Sequence, residues 1–363
     1  MTARPSRIDL FCRVIDNYGD IGVCWRLARQ LAMEEGLAVR LIVDRLEVAQ
    51  PLVLAIKPEL DHQVVDSVTL QRWQETGLQC QADLVIEAFA CELPADYLES
   101  MAACASPPVW INLEYLSAEP WVQSHHGLPS PHPRLALIKH FFFPGFMGNT
   151  GGLLREQNIV GPPAPAVRKT PMRIFVFAYD ADCIDSLCHA ISFDRCSATV
   201  VVPGNAWDGK LKHWCDPQAY NALNTAPVIE FVDFVQQRDF DALLASQDVL
   251  MVRGEDSLVR ALWSAKPFVW QLYRQAGGAH RPKLEAFLDW YSQGMSPPLC
   301  NAWQEFSRAW NGWQPGAIMS AWPKLREQWE PWCAFAHRRA AEQMQQPDLA
   351  SNLLSFFGKM ARM

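Results

Sequence analysis

Several things this sequence lacks narrow its class before any motif is read. It has no basic surplus: 32 lysines and arginines stand against 39 aspartates and glutamates, a formal charge of -7. That argues against a nucleic-acid coat. Its eleven cysteines are odd in number and scattered, with no Cys-x-x-Cys pair. A disulfide framework or zinc site is therefore not expected, and a reduced compartment is. No apolar run approaches the length of a membrane span, and no basic amphipathic stretch marks a membrane-surface helix. Residues 1–7 are too short for a secretory leader, so a cytoplasmic location is expected. The first strand-to-helix turn also lacks the Gly-x-Gly-x-x-Gly dinucleotide fingerprint.

What is present is an α/β rhythm, stated twice. The chain has 363 residues, half of them apolar, enough for two domains with sizeable cores. Strands are expected at 8–15, 39–43, 82–86 and 109–113, with helices at 21–31, 70–76 and 94–103. Residues 161–171, rich in proline, have the composition of an interdomain linker. The rhythm then restarts, with strands at 173–177, 198–202, 228–232, 248–252 and 267–273 alternating with helices at 182–190, 239–246 and 257–264. From Lys283 onward the chain reads as helical and rich in tryptophan: Trp303, Trp310, Trp313, Trp322, Trp329 and Trp332. These rings fit helix–helix packing or, on the other reading, a stacking surface for ligands. The domains expected are 1–160 and 172–335, both Rossmann-like with a cleft between them, and 336–363 as helices crossing back to the first.

Two stretches carry the candidate chemistry. The first is Asp16-Asn17-Tyr18-Gly19-Asp20-Ile21-Gly22, between the first strand and the first helix. Ligands of open α/β sheets bind beyond the carboxyl ends of the strands. Asp20 could cap the helix, and Gly19 could supply a positive φ. Two carboxylates flanking one short loop, however, repel each other unless a cation or a proton lies between them. Glu114 and Tyr115 follow a later strand on the same edge, Glu114 being either a site acid or a surface one.

The second stretch is Arg253-Gly254-Glu255-Asp256-Ser257, at a helix N-terminus. Backbone N–H groups and the helix dipole there suit a diphosphate, although the stretch also reads as an ordinary acidic helix start. Phe234 and Gln237, one loop earlier, could offer a stacking face and an amide to a pyrimidine. Tyr179 follows the strand expected over 173–177. Gly277-Gly278, with Arg274 and His280, could form a flap. His125, His126 and His132 lie among prolines without fixed ligand spacing, so a turn-rich loop is expected there in preference to a metal site.

The run from Asp16 to Leu31 resembles the EarP family of bacterial protein-arginine rhamnosyltransferases, which modify elongation factor P. Asn112–Glu119, Phe141–Phe146 and Arg253–Ser257 resemble its other signatures in the same order. The resemblance implies an inverting glycosyltransferase of the GT-B type, with two facing domains and a helical C-terminal end. It implies dTDP-β-L-rhamnose as donor, one loop arginine of elongation factor P as acceptor, and no metal or cofactor. By the family pattern Asp20 is the general base and Asp16 assists with the acceptor guanidinium, which Glu114 and Tyr115 also meet. Asn17, Tyr18, Gly19, Tyr179, Phe234, Gln237, Arg253, Gly254, Glu255, Asp256 and Ser257 fall to the donor. Phe240 stands where the family pattern suggests tyrosine. A GT-B enzyme acting on another acceptor, and a non-catalytic binder of a translation factor that responds to a nucleotide sugar, are the alternatives.

Overall fold

The computed structural model describes residues 4–15, 17–159, 170–204, 208–215, 227–274, 276–278, 280–313 and 316–362. Asp16 and nearly all of the expected linker over 161–171 lie outside them. The chain divides into two compact units, Met1–Val160 with Gln346–Met363, and Gly161–Gln345.

The first unit runs β1 (Arg7–Cys12), α1 (Asn17–Met33), β2 (Ala38–Val43), α2 (Leu46–Ala49), β3 (His62–Val65), β4 (Val68–Arg72), β5 (Leu84–Ala88), α3 (Ala95–Ala102), β6 (Val109–Leu113), α4 (Trp121–His125), β7 (Pro129–Pro131) and β8 (Ile138–Phe142). Its sheet has the order β3-β4-β2-β1-β5-β6-β8-β7. β3 and β7, each paired antiparallel to its neighbour, are the edges. The strands between are parallel, so β1, β5 and β6 end side by side. Parallel strands are covered on both faces and so are apolar on both. In β1, Ile8, Leu10 and Cys12 enter one core, and Phe11 enters the other with Trp73, Tyr97 and Trp110.

The helix expected over 70–76 is not formed. Val68 and Leu70 are buried and alternate with less buried Thr69 and Gln71, a period of two that belongs to a half-buried strand. This strand, β4, closes a hairpin with β3 through Asp66 and Ser67, both at positive φ (46° and 64°). Two-residue hairpin turns need that conformation and usually recruit Asn-Gly for it, which is why Asp-Ser gave no turn signal.

The last helix, α13 (Leu349–Met360), belongs to this unit. Leu349, Ala350, Leu353 and Phe357 join the core of β1 and α1. The crossing begins at residue 346 rather than 336, because the helix Trp329–Met344 stays with the second unit. Gly152 makes the join possible: it sits at φ +76°, and a Cβ there would meet the Pro347 carbonyl at 2.6 Å. Gln30 of α1 bonds both the Arg155 carbonyl (2.9 Å) and Asp348 (3.3 Å).

The second unit runs β9 (Met172–Val176), α5 (Ala181–Phe193), β10 (Ala198–Pro203), α6 (Asp208–Leu211), β11 (Val228–Val232), α7 (Gln237–Ala245), β12 (Val249–Arg253), α8 (Glu255–Trp263), β13 (Phe268–Gln271), α9 (His280–Tyr291), α10 (Pro297–Trp310), α11 (Ile318–Glu327) and α12 (Trp329–Met344). Its five strands are all parallel, in the order β11-β10-β9-β12-β13. The late tryptophans are packing residues: Trp303, Trp310, Trp322 and Trp332 are fully buried. Trp303 donates to the Phe268 carbonyl at 3.0 Å, tying α10 to β13. None of the described helices is long and apolar enough to cross a membrane.

Candidate active site

At the carboxyl edge of the first sheet, the chain leaves β1 and enters α1 sooner than the motif suggested. Asn17, Tyr18 and Gly19 form the first turn of the helix, and Asp20 completes it. Gly19 is helical and has no positive φ, so its conformational freedom is not what the motif uses. Asp20 is not the N-cap either. It is only 2% exposed, and its Oδ2 accepts the N–H of Ile15 at 2.8 Å. A buried carboxylate needs such partners. The residues before it are fixed in turn: Asp44 accepts the Val14 N–H at 2.9 Å, and Arg45 donates to the Val14 carbonyl.

Tyr115, beyond β6, directs its hydroxyl to Asp20 Oδ1 at 3.3 Å. That is long for a hydroxyl donor. The structure thus brings together Asp20 and Tyr115, which lie 95 residues apart in the chain. Glu114, next to Tyr115, accepts a bond from the Asn112 amide. Its carboxyl is held above its ordinary range, first by burial and then by the charge of Glu87, against the lowering effect of Lys139 and Asn112. Below Asp20, Cys12 and Cys24 are buried. Cys12 is pushed up by its hydrogen bond with Cys24 and by burial, and Cys24 by burial, with Asp20 adding to both. They stay neutral thiols beside the aspartate.

The histidine-rich stretch is not the plain loop expected: His125 ends α4, and Pro129–Pro131 form the edge strand β7, paired with β8. The His125 ring bonds the Trp121 carbonyl at 2.9 Å, His126 Nδ1 accepts the Phe143 N–H at 3.1 Å, and His132 Nδ1 accepts that of Leu135 at 3.0 Å. Among the described residues, no group of three or more His, Cys, Asp or Glu side chains is placed to hold a metal ion.

The second sheet presents its own carboxyl edge. Gly254 (φ 72°, ψ 172°) is the N-cap of α8. Glycine reaches that conformation without Cβ strain, and it offers no side-chain acceptor to the N–H groups of the first turn. Its carbonyl accepts the Trp270 indole N–H at 3.0 Å. Arg253 lies between two rings, its guanidinium carbon 4.3 Å from the Phe177 centroid and 4.5 Å from that of Tyr179. Such stacking holds the charge without neutralising it. Ser257 is buried in the first turns of α8. Gln237 reaches Asp256 at 3.5 Å. Arg260 binds Asp241 through Nε at 2.7 Å, joining α7 to α8. Phe234 is 44% exposed. Phe240 turns edge-on to Phe175, their centroids 6.0 Å apart.

Lys283 of α9 pairs with Glu255 at 2.7 Å. It explains how a carboxylate is tolerated at a site suited to phosphate. Sequence reading missed it, because 28 residues separate the two and nothing local marks the pair. Glu87 and Phe89 are legible at the end of the strand expected over 82–86, but their roles depend on neighbours in adjacent strands.

Two units, each built on a mainly parallel sheet with polar and charged groups gathered at the strand carboxyl ends, have the plan of the GT-B fold. The spinosyn forosaminyltransferase SpnP shares this fold at a TM-score of 0.53 and 12% identity, across 99% of this chain and 100% of that one. Residues 8–358 match the model of the family described as Elongation-Factor P (EF-P) rhamnosyltransferase EarP. A protein-arginine rhamnosyltransferase of Pseudomonas putida is 41% identical over 371 residues, 96% of this chain and 98% of that protein. A structure solved to explain EarP-mediated arginine glycosylation of translation elongation factor EF-P superposes at a TM-score of 0.63, with 28% identity, over 97% of this chain and 99% of the other. The chain belongs to the EarP family of protein-arginine rhamnosyltransferases.

Proposed function

We propose that this enzyme moves L-rhamnose from dTDP-β-L-rhamnose to a side-chain nitrogen of one arginine of elongation factor P, with inversion at the anomeric carbon and with no metal or cofactor. The reaction takes place in the cytoplasm and activates the factor for ribosomes stalled at polyproline. The observation that carries this reading is the buried Asp20 carboxylate, held by the Ile15 N–H and met by Tyr115, in a chain of this family.

A guanidinium is a poor nucleophile: it is almost always protonated and its lone pairs are delocalised. Carboxylates match it geometrically through paired N–H bonds. Asp16 and Glu114 fix its plane and draw positive charge toward the nitrogens that do not attack, and Tyr115 lines the same place. As the attacking nitrogen bonds to the anomeric carbon it loses basicity, and Asp20 accepts its proton. The carbon–oxygen bond to the diphosphate breaks on the opposite face, which inverts the centre and releases dTDP. The N-terminus of α8 with Ser257 and the charge of Arg253 stabilise the leaving diphosphate. Glu255 and Asp256 hold sugar hydroxyls, while Phe234 and Gln237 take the thymidine, with Tyr179 beside Arg253.

The test is the intact mass of unmodified elongation factor P after incubation with the enzyme and dTDP-L-rhamnose. A gain of one deoxyhexose, absent when the factor's loop arginine is changed to lysine, supports donor, acceptor and reaction together. No gain, with the donor still bound, sends the search to other acceptors or to a non-catalytic role.

A further inference from the structure

The loop after β5 stands out in its backbone. Phe89 (φ 57°), Ala90 (φ 52°) and Glu92 (φ 56°) all occupy the left-handed region without being glycine. Such conformations persist only where the surroundings impose them, and they gather at functional sites. The surroundings here are specific. The Phe89 N–H bonds the Leu113 carbonyl at 2.7 Å, and the Ala90 N–H bonds Asn112 Oδ1 at 3.0 Å. The Glu92 N–H bonds Glu87 Oε1 at 3.1 Å. Glu87 is 1% exposed. It is itself anchored by the Trp110 indole (3.1 Å) and by Lys139 (3.2 Å). Two buried polar side chains therefore clamp the backbone of a strained turn.

The strained turn delivers one ring to one place. Phe89 stacks on Tyr115, with centroids 4.5 Å apart and planes within 16°, and Tyr115 is the residue whose hydroxyl meets Asp20. Asn112, one of the two clamps, also holds Glu114. The turn thus stands behind three candidate acceptor-side groups at once, and nothing local in the sequence around Phe89 marks it for that part.

We propose that Phe89 is a positioning residue for the transfer: clamped by Glu87 and Asn112, it braces the Tyr115 ring so that the hydroxyl fixes the Asp20 carboxylate. This rests on the reading of Asp20 as the base. Phe89 acts through Tyr115 and touches neither substrate. Misplacing a catalytic group by about 1 Å can cost about 100-fold in rate, so loss of the brace should lower kcat by roughly 10- to 100-fold.

The experiment compares Phe89→Leu, Phe89→Tyr, Tyr115→Phe, the double variant Phe89→Leu/Tyr115→Phe and Asp20→Asn in the full chain. It reads steady-state transfer to elongation factor P from pH 5 to 9 and donor affinity by calorimetry. Phe89→Leu should lower kcat while leaving the dissociation constant for dTDP-rhamnose unchanged. Phe89→Tyr, which keeps a ring to stack, should recover most of the rate and guards against misfolding. A hydroxyl donating to a carboxylate stabilises its anion, so Tyr115→Phe should move the acid limb of kcat/KM to higher pH, and Phe89→Leu should move it the same way. The double variant should be no slower than Tyr115→Phe. Multiplicative losses in the double variant, or an acid limb that Phe89→Leu leaves in place while Asp20→Asn is inactive, would overturn the role of Phe89 alone. Full activity in Asp20→Asn would overturn the base assignment, and with it the brace.

Discussion

The two sheet edges of this enzyme begin from one local plan, a strand, a short acidic stretch and a helix, and finish it in opposite ways. After β1 the acid is buried and turned back onto its own chain, with the Ile15 N–H and the Tyr115 hydroxyl as partners. After β12 the acid stands at a glycine-capped helix N-terminus and is paired with a lysine from a distant helix. Both of the contacts after β1 donate to the Asp20 carboxylate. At α8 the helix dipole, Arg253 and Lys283 concentrate positive charge, and Glu255 moderates it. In the proposed reaction the same motif class serves a proton acceptor on one side and an anion site on the other, and the partners brought in by tertiary structure distinguish the two environments.

The largest test of this contrast is Asp20→Asn. Loss of a general base costs about 10²- to 10⁴-fold, so turnover should all but vanish in the intact-mass assay while calorimetry shows near-normal donor binding. A mutant that no longer binds dTDP-rhamnose would place Asp20 with the donor and dissolve the contrast.

On the other edge, Glu255→Ala should weaken donor affinity by about tenfold, the loss of one hydrogen bond to a charged group; unchanged affinity would remove Glu255 from the site. Lys283→Met should also weaken donor binding, because it removes the cation that faces the Glu255 carboxylate beside the diphosphate. The loss should shrink in a Glu255→Ala background, since contacting residues couple. Equal losses in both backgrounds would mean that Lys283 acts independently of Glu255.

A subtler expectation concerns pH. The carboxyl of Glu114 is raised above its ordinary 4.5, chiefly by burial. A guanidinium arriving beside it favours its anion, so acceptor binding drives off its proton. Acceptor affinity should fall as pH drops through the window above 4.5, and Glu114→Gln should flatten that dependence. The effect on folding has the opposite sense: a raised carboxyl pKa removes stability as pH rises through the same window, because the unfolded chain ionises first.

The smallest effect should come from Ala90→Gly. Relief of left-handed strain, about 1–2 kcal/mol, outweighs a glycine entropy cost of about 0.5–1 kcal/mol, so the melting temperature should rise by a few degrees at most. A fall would show that the turn at Ala90 carries no strain.

Much of this was legible in the sequence. Alternation of short apolar runs with helical spacing placed β1, β2, β5 and β6 of the first sheet and all five strands of the second, because parallel strands are buried on both faces and leave continuous apolar runs. Among the strands it missed is β4, a half-polar strand whose hairpin turn with β3 lacks glycine and asparagine; the edge strands β3 and β7 were missed as well. The second motif was found because the Gly254–Ser257 run is contiguous in the chain. The first was placed correctly but read a little wrongly: the helix starts at Asn17, so Gly19 needs no special backbone and Asp20 is not its cap.

By itself, then, the sequence determined the α/β class and the two-unit plan, which rest on local composition and periodicity, and its contiguous motifs carried the family resemblance. Only the tertiary structure decided which acid is buried, that Tyr115 reaches Asp20, that Lys283 neutralises Glu255, and that a strained turn at Phe89 stands behind Tyr115. Those pairs span tens of residues, and their existence depends on strand order and register, which bring together side chains that no local pattern of residues links.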